Sequence, residues 1–355
     1  MTKYPPVDAS LKTWNEVAGL RNWRNILIGN GASMAVYSGF GYKSLYNVAH
    51  KKLDELEGLS PLDIEFFEEA DTENFEMVLS LLSSASRVCT ILKKPQNDIQ
   101  ERIESIRNAL FNAVRTVHVP WEDVLNGKRL EQMGEFYYTQ SKIFTTNYDL
   151  LLYWSLMTLK DTHGFFLDFF QSTGEFDPTN SFYSDLYNDP IPKLFYLHGA
   201  AHIYRDQHGR TCKIRSSNQL NILSILDYYI SSPDRVPLFV AEGTHSEKQS
   251  TIGRSAYLTF CLREFARTSG PLVVFGSDLG LSDKHLVNII AKTHSQYPLA
   301  ISIYRGKMTD VELISKKSRI IKELCPKPQR GKSWREIHFF DSTTHPLGTP
   351  NLFLA

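Results

Sequence analysis

The sequence has few of the features that fix a fold from outside its core. Its 355 residues include only four cysteines, Cys89, Cys212, Cys261 and Cys325, and no two form a Cys-x-x-Cys pair. A zinc ribbon or a disulfide framework needs paired, closer spacing, so reduced thiols are expected and no metal site. No apolar run approaches the ~20 residues that a membrane helix requires. The opening Met1-Thr-Lys-Tyr-Pro-Pro has no apolar stretch of the secretory kind. Charge of one sign is also lacking, since 39 Lys plus Arg balance 39 Asp plus Glu. No basic block forms a phosphate-backbone footprint, so direct nucleic-acid binding is not expected. The short run Lys316-Lys317-Ser318-Arg319 reads as a solvated helix face. There is no internal repeat and no low-complexity tract. What remains is ordinary globular composition, 42% hydrophobic and 22% charged, enough for one large core or two modest ones. The expectation is a cytoplasmic protein with no membrane contact.

Short apolar runs punctuate this composition. They are 25–28, 142–145, 193–197, 237–240, 271–275, 299–304 and 336–340. Continuous apolar runs fit strands buried on both faces, and helical patterns lie between many of them. The fold class expected is therefore α/β, with a Rossmann-type, mostly parallel sheet and helices on both faces. The long gap between the first two runs is helical. Ile99, Ile103, Ile106, Leu110, Ala113, Val114 and Val117 recur at helical spacing. Phe75, Val78, Leu79, Leu82 and Val88 mark an earlier helix, and Pro95 separates the two. We read 50–135 as a helical insertion or lid within a single α/β domain spanning 1–355. The irregular stretch 200–255 reads as a small module beside the cleft.

Polar residues gather where these runs end. The first leads into Gly29-Asn30-Gly31-Ala32-Ser33. Glycines there let the backbone turn tightly and approach a pyrophosphate, and Ser33 suits a helix cap or a phosphate donor. A plain strand-to-helix turn fits equally. Met34 stands where a dehydrogenase fingerprint wants a third glycine, and no acidic residue ends a strand roughly 20 residues on, which disfavours hydride transfer. The second run ends in Thr145-Thr146-Asn147-Tyr148-Asp149, where Asp149 alone could be an N-cap and Asn147 a turn residue. The third ends in Leu197-His198-Gly199. An imidazole with an ordinary pKa of ~6.5 suits general-base work near neutrality. A later run ends in Gly276-Ser277-Asp278, followed by Ser282-Asp283. Glu242-Gly243-Thr244-His245 could reach the same edge or be a solvated loop. His338 and His345 read as structural, and Tyr153, Trp154 and Met157 as core-facing.

The order of these groups carries more than any one of them. Gly-x-Gly-Ala-Ser, Thr-x-Asn-x-Asp, His-Gly and Gly-Ser, each at a strand end, resembles the sirtuin family and its NAD-consuming relatives, from about Asn25 to Tyr304. Gly29, Gly31 and Ser33 match the family's glycine loop, with Asn30 in place of alanine. Thr145, Asn147 and Asp149 match its Thr-x-Asn-x-Asp, and His198-Gly199 its His-Gly. Gly276-Ser277 partly matches its later loop, with Asp278 a departure. Ile301-Ser302-Ile303-Tyr304 is the looser counterpart of a strand near the adenosine end. The zinc ribbon of protein-deacylating sirtuins is missing, which puts deacylation in doubt. The large helical insertion, and Asp71-Thr-x-Asn-Phe-Glu-x-Val-Leu79, look more like the bacterial sirtuin-like NAD hydrolases of antiphage defence.

That resemblance implies cleavage of the nicotinamide–ribose bond of NAD, giving nicotinamide and ADP-ribose, in an effector that depletes NAD. Asn147, His198 and Asp149 would carry the chemistry. Gly29, Gly31, Ala32 and Ser33 would hold the diphosphate, Gly276 and Ser277 would line the adenosine side, and Asn30 and Thr145 would also bind the cofactor. NAD would be the substrate, with no metal. A homo-oligomer and a partner protein that triggers activity are further expectations. The alternatives are a sensor that binds NAD or ADP-ribose without turnover, and an ADP-ribosyl or acyl transfer enzyme using the same site.

Overall fold

Apolar β-branched and aromatic residues in runs of four or five give strands buried on both faces, and the polar, periodic segments between them give helices. In the computed structural model the described residues are 4, 6–51, 58–118, 129–179, 191–214, 235–240, 245–325, 334–349 and 352. Among them the strands are β1 (Asn25–Ile28), β2 (Lys142–Thr145), β3 (Lys193–Tyr196), β4 (Gly199–Arg205), β5 (Thr211–Lys213), β6 (Val236–Phe239), β7 (Leu272–Phe275), β8 (Leu299–Ile303) and β9 (Ile337–Asp341). The helices are α1 (Trp14–Ala18), α2 (Gly31–Val36), α3 (Tyr42–His50), α4 (Pro61–Glu69), α5 (Phe75–Ile91), α6 (Asn97–Val117), α7 (Arg129–Tyr138), α8 (Leu151–Thr158), α9 (Lys160–His163), α10 (His245–Gly253), α11 (Ala256–Arg267), α12 (Lys284–Lys292) and α13 (Asp310–Leu324).

Six strands form one parallel sheet in the order β3-β2-β1-β7-β8-β9, flanked by helices. Every residue of β1, β7 and β8 is buried, as strands covered on both faces require. From β1 the chain winds outward through β2 and β3, then returns to the other side of β1 and winds outward again. This is the doubly wound, Rossmann-like α/β arrangement. Its switch point lies between β1 and β7, where open α/β sheets hold ligands beyond the strand ends.

One expected strand belongs elsewhere. Residues 237–240 were expected among the strands of the parallel sheet, but β6 pairs antiparallel with β4, and β4 with β5, in a separate three-stranded sheet. Pro237 lies within β6, and proline, having no N–H to give a ladder, is confined to edge strands. Residues 241–244 lie outside the described residues, as do 215–234.

The helices after the glycine loop are those the periodicity indicates, with two differences. The α5 residues Phe75, Val78, Leu79 and Leu82 enter the core, but Val88 is 54% exposed. Ser86 is buried in its stead and donates to Gln96 Oε1 at 2.7 Å. The basic run on α13 is not simply solvated either. Lys317 is buried and donates to the Asp8 and Ser10 carbonyls at 2.8 and 2.9 Å, clamping the N-terminal segment. His345 is buried between Trp14, Phe136, Phe275 and Phe340, a packing role of the expected kind. Among the described residues no helix is long and apolar enough to cross a membrane.

Candidate active site

At the switch point the loops after β1 and β7 interlock. Gly29 N donates to Phe275 O and Gly31 N to Gly276 O, each at 2.8 Å. A Cβ on Gly29 would lie 2.7 Å from Gly276 O, and one on Gly31 would lie 2.7 Å from Gly276 Cα. Gly276 itself has φ +68° and would drive a Cβ to 2.5 Å from Ala32 N. Side chains at these positions would push the loops apart. Glycines read from sequence as room for a diphosphate are, in the structure, first of all room for the opposing loop. The Gly276 N–H donates to Ser302 Oγ on β8 at 2.9 Å. Ser277 Oγ accepts from Leu279 N at 3.2 Å. Asp278 is held by Lys316 and Arg319 of α13, at 2.7 and 3.2 Å.

Ser33 does not cap α2. Asn30 occupies the cap position, but its side-chain amide donates to Phe40 O at 2.9 Å. Ser33 lies within the first turn and donates to Asp149 Oδ2 at 2.5 Å. Asn147 Nδ2 in turn donates to Ser33 Oγ at 2.8 Å. Since the Ser33 proton is committed to the carboxylate, its oxygen can only accept, and Asn147 must turn its NH₂ toward it. The Asn147 Oδ1 is therefore the free end of that amide. It is buried and has no hydrogen-bond donor among the described residues. Leaving such an acceptor unmet costs about 1–3 kcal/mol. Thr145 Oγ1 accepts from Asn147 N at 3.0 Å and fixes the bend after β2. Asp149 Oδ1 accepts from Leu151 N at 2.9 Å, opening α8. Ser33, Thr145, Asn147 and Asp149 are all buried. His118, just beyond α6, accepts from Leu150 N at 3.0 Å, so the helical insertion touches this cluster directly.

His198 belongs to a second cluster. It follows β3 at a tight turn. Gly199, at φ +79°, starts β4 with its Cβ position 1.9 Å from Leu238 O, which leaves no room for a side chain. The His198 ring lies beside that of His285 from α12, with Nε2 to Nε2 at 3.1 Å. One ring donates and the other accepts. Asp283 Oδ1 is 4.0 Å from His198 Nε2 and 3.2 Å from Lys248 Nζ of α10. Lys248 also reaches Glu76 of α5 at 3.1 Å. The Lys248 side chain is 1% exposed. Burial penalises its ammonium, but Glu76 and Asp283 outweigh that and raise its pKa above the ordinary lysine value. Burial, then the Lys248 charge and His285, push His198 well below the ordinary histidine range, so it is a neutral imidazole at neutral pH. His198, Asp283 and His285 offer three ligand atoms within 4.8 Å of one another, a spacing that could hold a metal ion. The same Asp283 oxygen already carries the Lys248 ammonium, which competes with any cation there.

Of the residues singled out in the sequence, the structure joins Ser33, Thr145, Asn147 and Asp149 by hydrogen bonds. Among the described residues no hydrogen bond links them to His198. Glu76, Lys248 and His285 were missed as site residues. His285 sits singly in an apolar helix turn, and the ion cluster comes from three distant segments, so no local spacing marks either. Glu76 was visible only within the Asp71–Leu79 stretch, and Asp283 only as part of a polar turn.

Sheet order and strand-end chemistry define a Rossmann-like α/β protein with a closed polar site at its switch point. The chain belongs to the family described as Domain of unknown function (DUF4917), whose model matches residues 26–347. No curated protein sequence matches it. Among solved structures, one titled "Sir2-p53 peptide-NAD+" aligns over 87% of this chain and 96% of its own, at 12% identity and a TM-score of 0.27.

Proposed function

We propose that this protein is an NAD hydrolase that cleaves the nicotinamide–ribose bond, and that it acts in the cytoplasm as an effector depleting NAD in antiphage defence. The observation that carries the chemical reading is the buried, donorless Asn147 Oδ1 at the end of β2, next to the β1–β7 switch point. It is an acceptor aligned by Ser33 and Asp149 that awaits an O–H donor. A ribose hydroxyl or the attacking water supplies one. The role in defence rests on the order of the sequence motifs.

In the reaction the C1′–N bond breaks and its electron pair leaves with nicotinamide, discharging the pyridinium. No acid is needed for that departure. Water adds to the oxocarbenium-like carbon, as in glycoside cleavage, and its proton passes to His198. His198 is a neutral imidazole whose lowered pKa makes it a weak base that quickly gives the proton up again, and His285 holds the ring in place. Asp149 contributes negative potential to the cationic transition state. The residues involved are buried, so substrate enters only when the cover moves. Glu76 of the insertion region pairs with Lys248, and His118 accepts from the Leu150 backbone beside Asp149, contacts that support that region as the lid.

The test is nicotinamide release from NAD by the full chain, across a range of protein concentrations. Wild type is expected to turn over, with His198→Ala slower by ~100–10,000-fold and Asn147→Ala inactive. Bound NAD without turnover would favour a sensor, and ADP-ribose on protein a transferase. Absence of both binding and turnover would refute the reading.

A further inference from the structure

Helix α5 is apolar on two opposite faces. The inner face, with Phe75, Val78, Leu79 and Leu82, packs in the core. The outer face carries Met77, Leu81, Val88 and Ile91, exposed by 48%, 51%, 54% and 80%. With Ser84, these residues follow one another at steps of 4, 3, 4 and 3. That is the a/d spacing of a coiled-coil seam. At ~100° per residue the five fall within about 80° of the helix circumference, along a stripe about 21 Å long. A helix apolar on both sides is one covered on both sides, and a contiguous exposed stripe marks a contact surface.

We infer that this stripe is a homodimer interface in which α5 packs antiparallel against α5 of a second copy, about a twofold axis through Ser84. Two features select a second copy. The seam reads large, large, small, large, large in either direction. An antiparallel pairing therefore sets Met77 against the partner's Ile91 and Leu81 against the partner's Val88, with the small Ser84 side chains meeting on the axis. Self-complementarity of this kind is what an isologous interface requires. The charges agree as well. Asp71 and Glu73 lie before α5, and Lys93 and Lys94 lie after it. Glu73 has a 3.8 Å contact with Lys43, itself exposed. Antiparallel packing brings the acidic end of one helix to the basic end of the other, whereas parallel packing sets like charges together. The inference stands independently of the NAD reading.

Sedimentation of the full chain from about 1 to 100 µM tests it. Wild type is expected to form a dimer in this range. Leu81→Glu with Val88→Glu, which places charge at the centre of the seam, is expected to raise the dimer Kd at least about 100-fold. At concentrations low enough that the wild type is also monomeric, its unfolding transition should match the wild type's, because neither side chain enters the core. A cysteine pair fixes the direction. In a Cys89→Ser background that does not itself cross-link, Ser84→Cys is expected to give a disulfide-linked dimer on oxidation. Met77→Cys is not, since its two copies would lie about 21 Å apart. A wild type that stays monomeric, a dimer indifferent to the double substitution, failure of Ser84→Cys to cross-link, or cross-linking through Met77→Cys would each overturn the inference.

Discussion

The two polar clusters at the strand ends are built on opposite plans. Ser33, in the first turn of α2 after β1, and Asn147 and Asp149, after β2, follow adjacent strands and are joined by short hydrogen bonds. Glu76, Lys248, His198 and the neighbouring pair Asp283 and His285 come from four separate segments and are joined largely by charge. The first cluster is tied to the ends of β1 and β2 through α2 and the start of α8, and none of its members comes from α5 or α10. The second exists only while the insertion helix α5, α10 and the loop after β7 stand together. A site assembled from both parts combines a fixed seat with a joint that can part.

Removing the central charge of the joint should expose this difference most strongly. Lys248→Met leaves Glu76 and Asp283 facing each other without a counter-charge. Breaking a buried ion cluster in this way costs about 3–5 kcal/mol. The carboxylates retain some solvent contact, at 18% and 20% exposure, so the lower end of that range is expected in denaturant unfolding. The same substitution removes one of the influences depressing His198, so the acidic limb of the pH–rate profile should move to higher pH. A loss below about 1 kcal/mol, as for a surface pair, would show that the cluster is no joint.

Acid should act next, and through the histidines. His198, His345 and His294 are held below the ordinary value primarily by burial, and His202 is pushed down to about 3. The unfolded chain takes up protons near pH 6.5 while the folded chain does not. The stability these rings contribute is therefore complete above that pH and is lost as pH falls toward their folded values. Each fully depressed ring contributes up to ~1.4 kcal/mol per pH unit in that window. Unfolding midpoints measured at several values between pH 7.5 and 5 should fall steadily. A flat profile would mean that water reaches these imidazoles.

The smallest effect is expected in the fixed seat. Ser33→Ala removes the donor to Asp149 and the acceptor for Asn147, at a cost of about 2 kcal/mol in stability. The Asn147 amide then becomes free to rotate, so nicotinamide release should fall without a change in the pH profile. A shifted profile would mean that the two clusters communicate, contrary to their separate construction.

The same contrast decides what could be read from the sequence. The six strands of the parallel sheet are continuous apolar runs, and the groups at their ends follow from where those runs stop. Asn147 and Asp149 were visible because a parallel sheet delivers every strand end to one edge. The roles of Lys248 and His285 were not, because contacts between distant helices leave no periodic trace. Strand β4 escaped because it starts at Gly199 and runs through the stretch 200–255 that was read as irregular. Val88 was grouped with Phe75, Val78, Leu79 and Leu82 in one helical pattern, yet at ~100° per residue it falls on the opposite side of α5, which is also apolar. Lys317 was mistaken for solvated because sequence does not show the Asp8 and Ser10 carbonyls that receive it.

The interlocked glycines settle where motion can occur. Gly29, Gly31 and Gly276 clasp two neighbouring loops backbone to backbone, with no side chain between them to swing aside. That clasp behaves as a weld and not a hinge. Whatever admits a ligand must lift from the helical side, and the three glycines stand or fall as one unit under substitution.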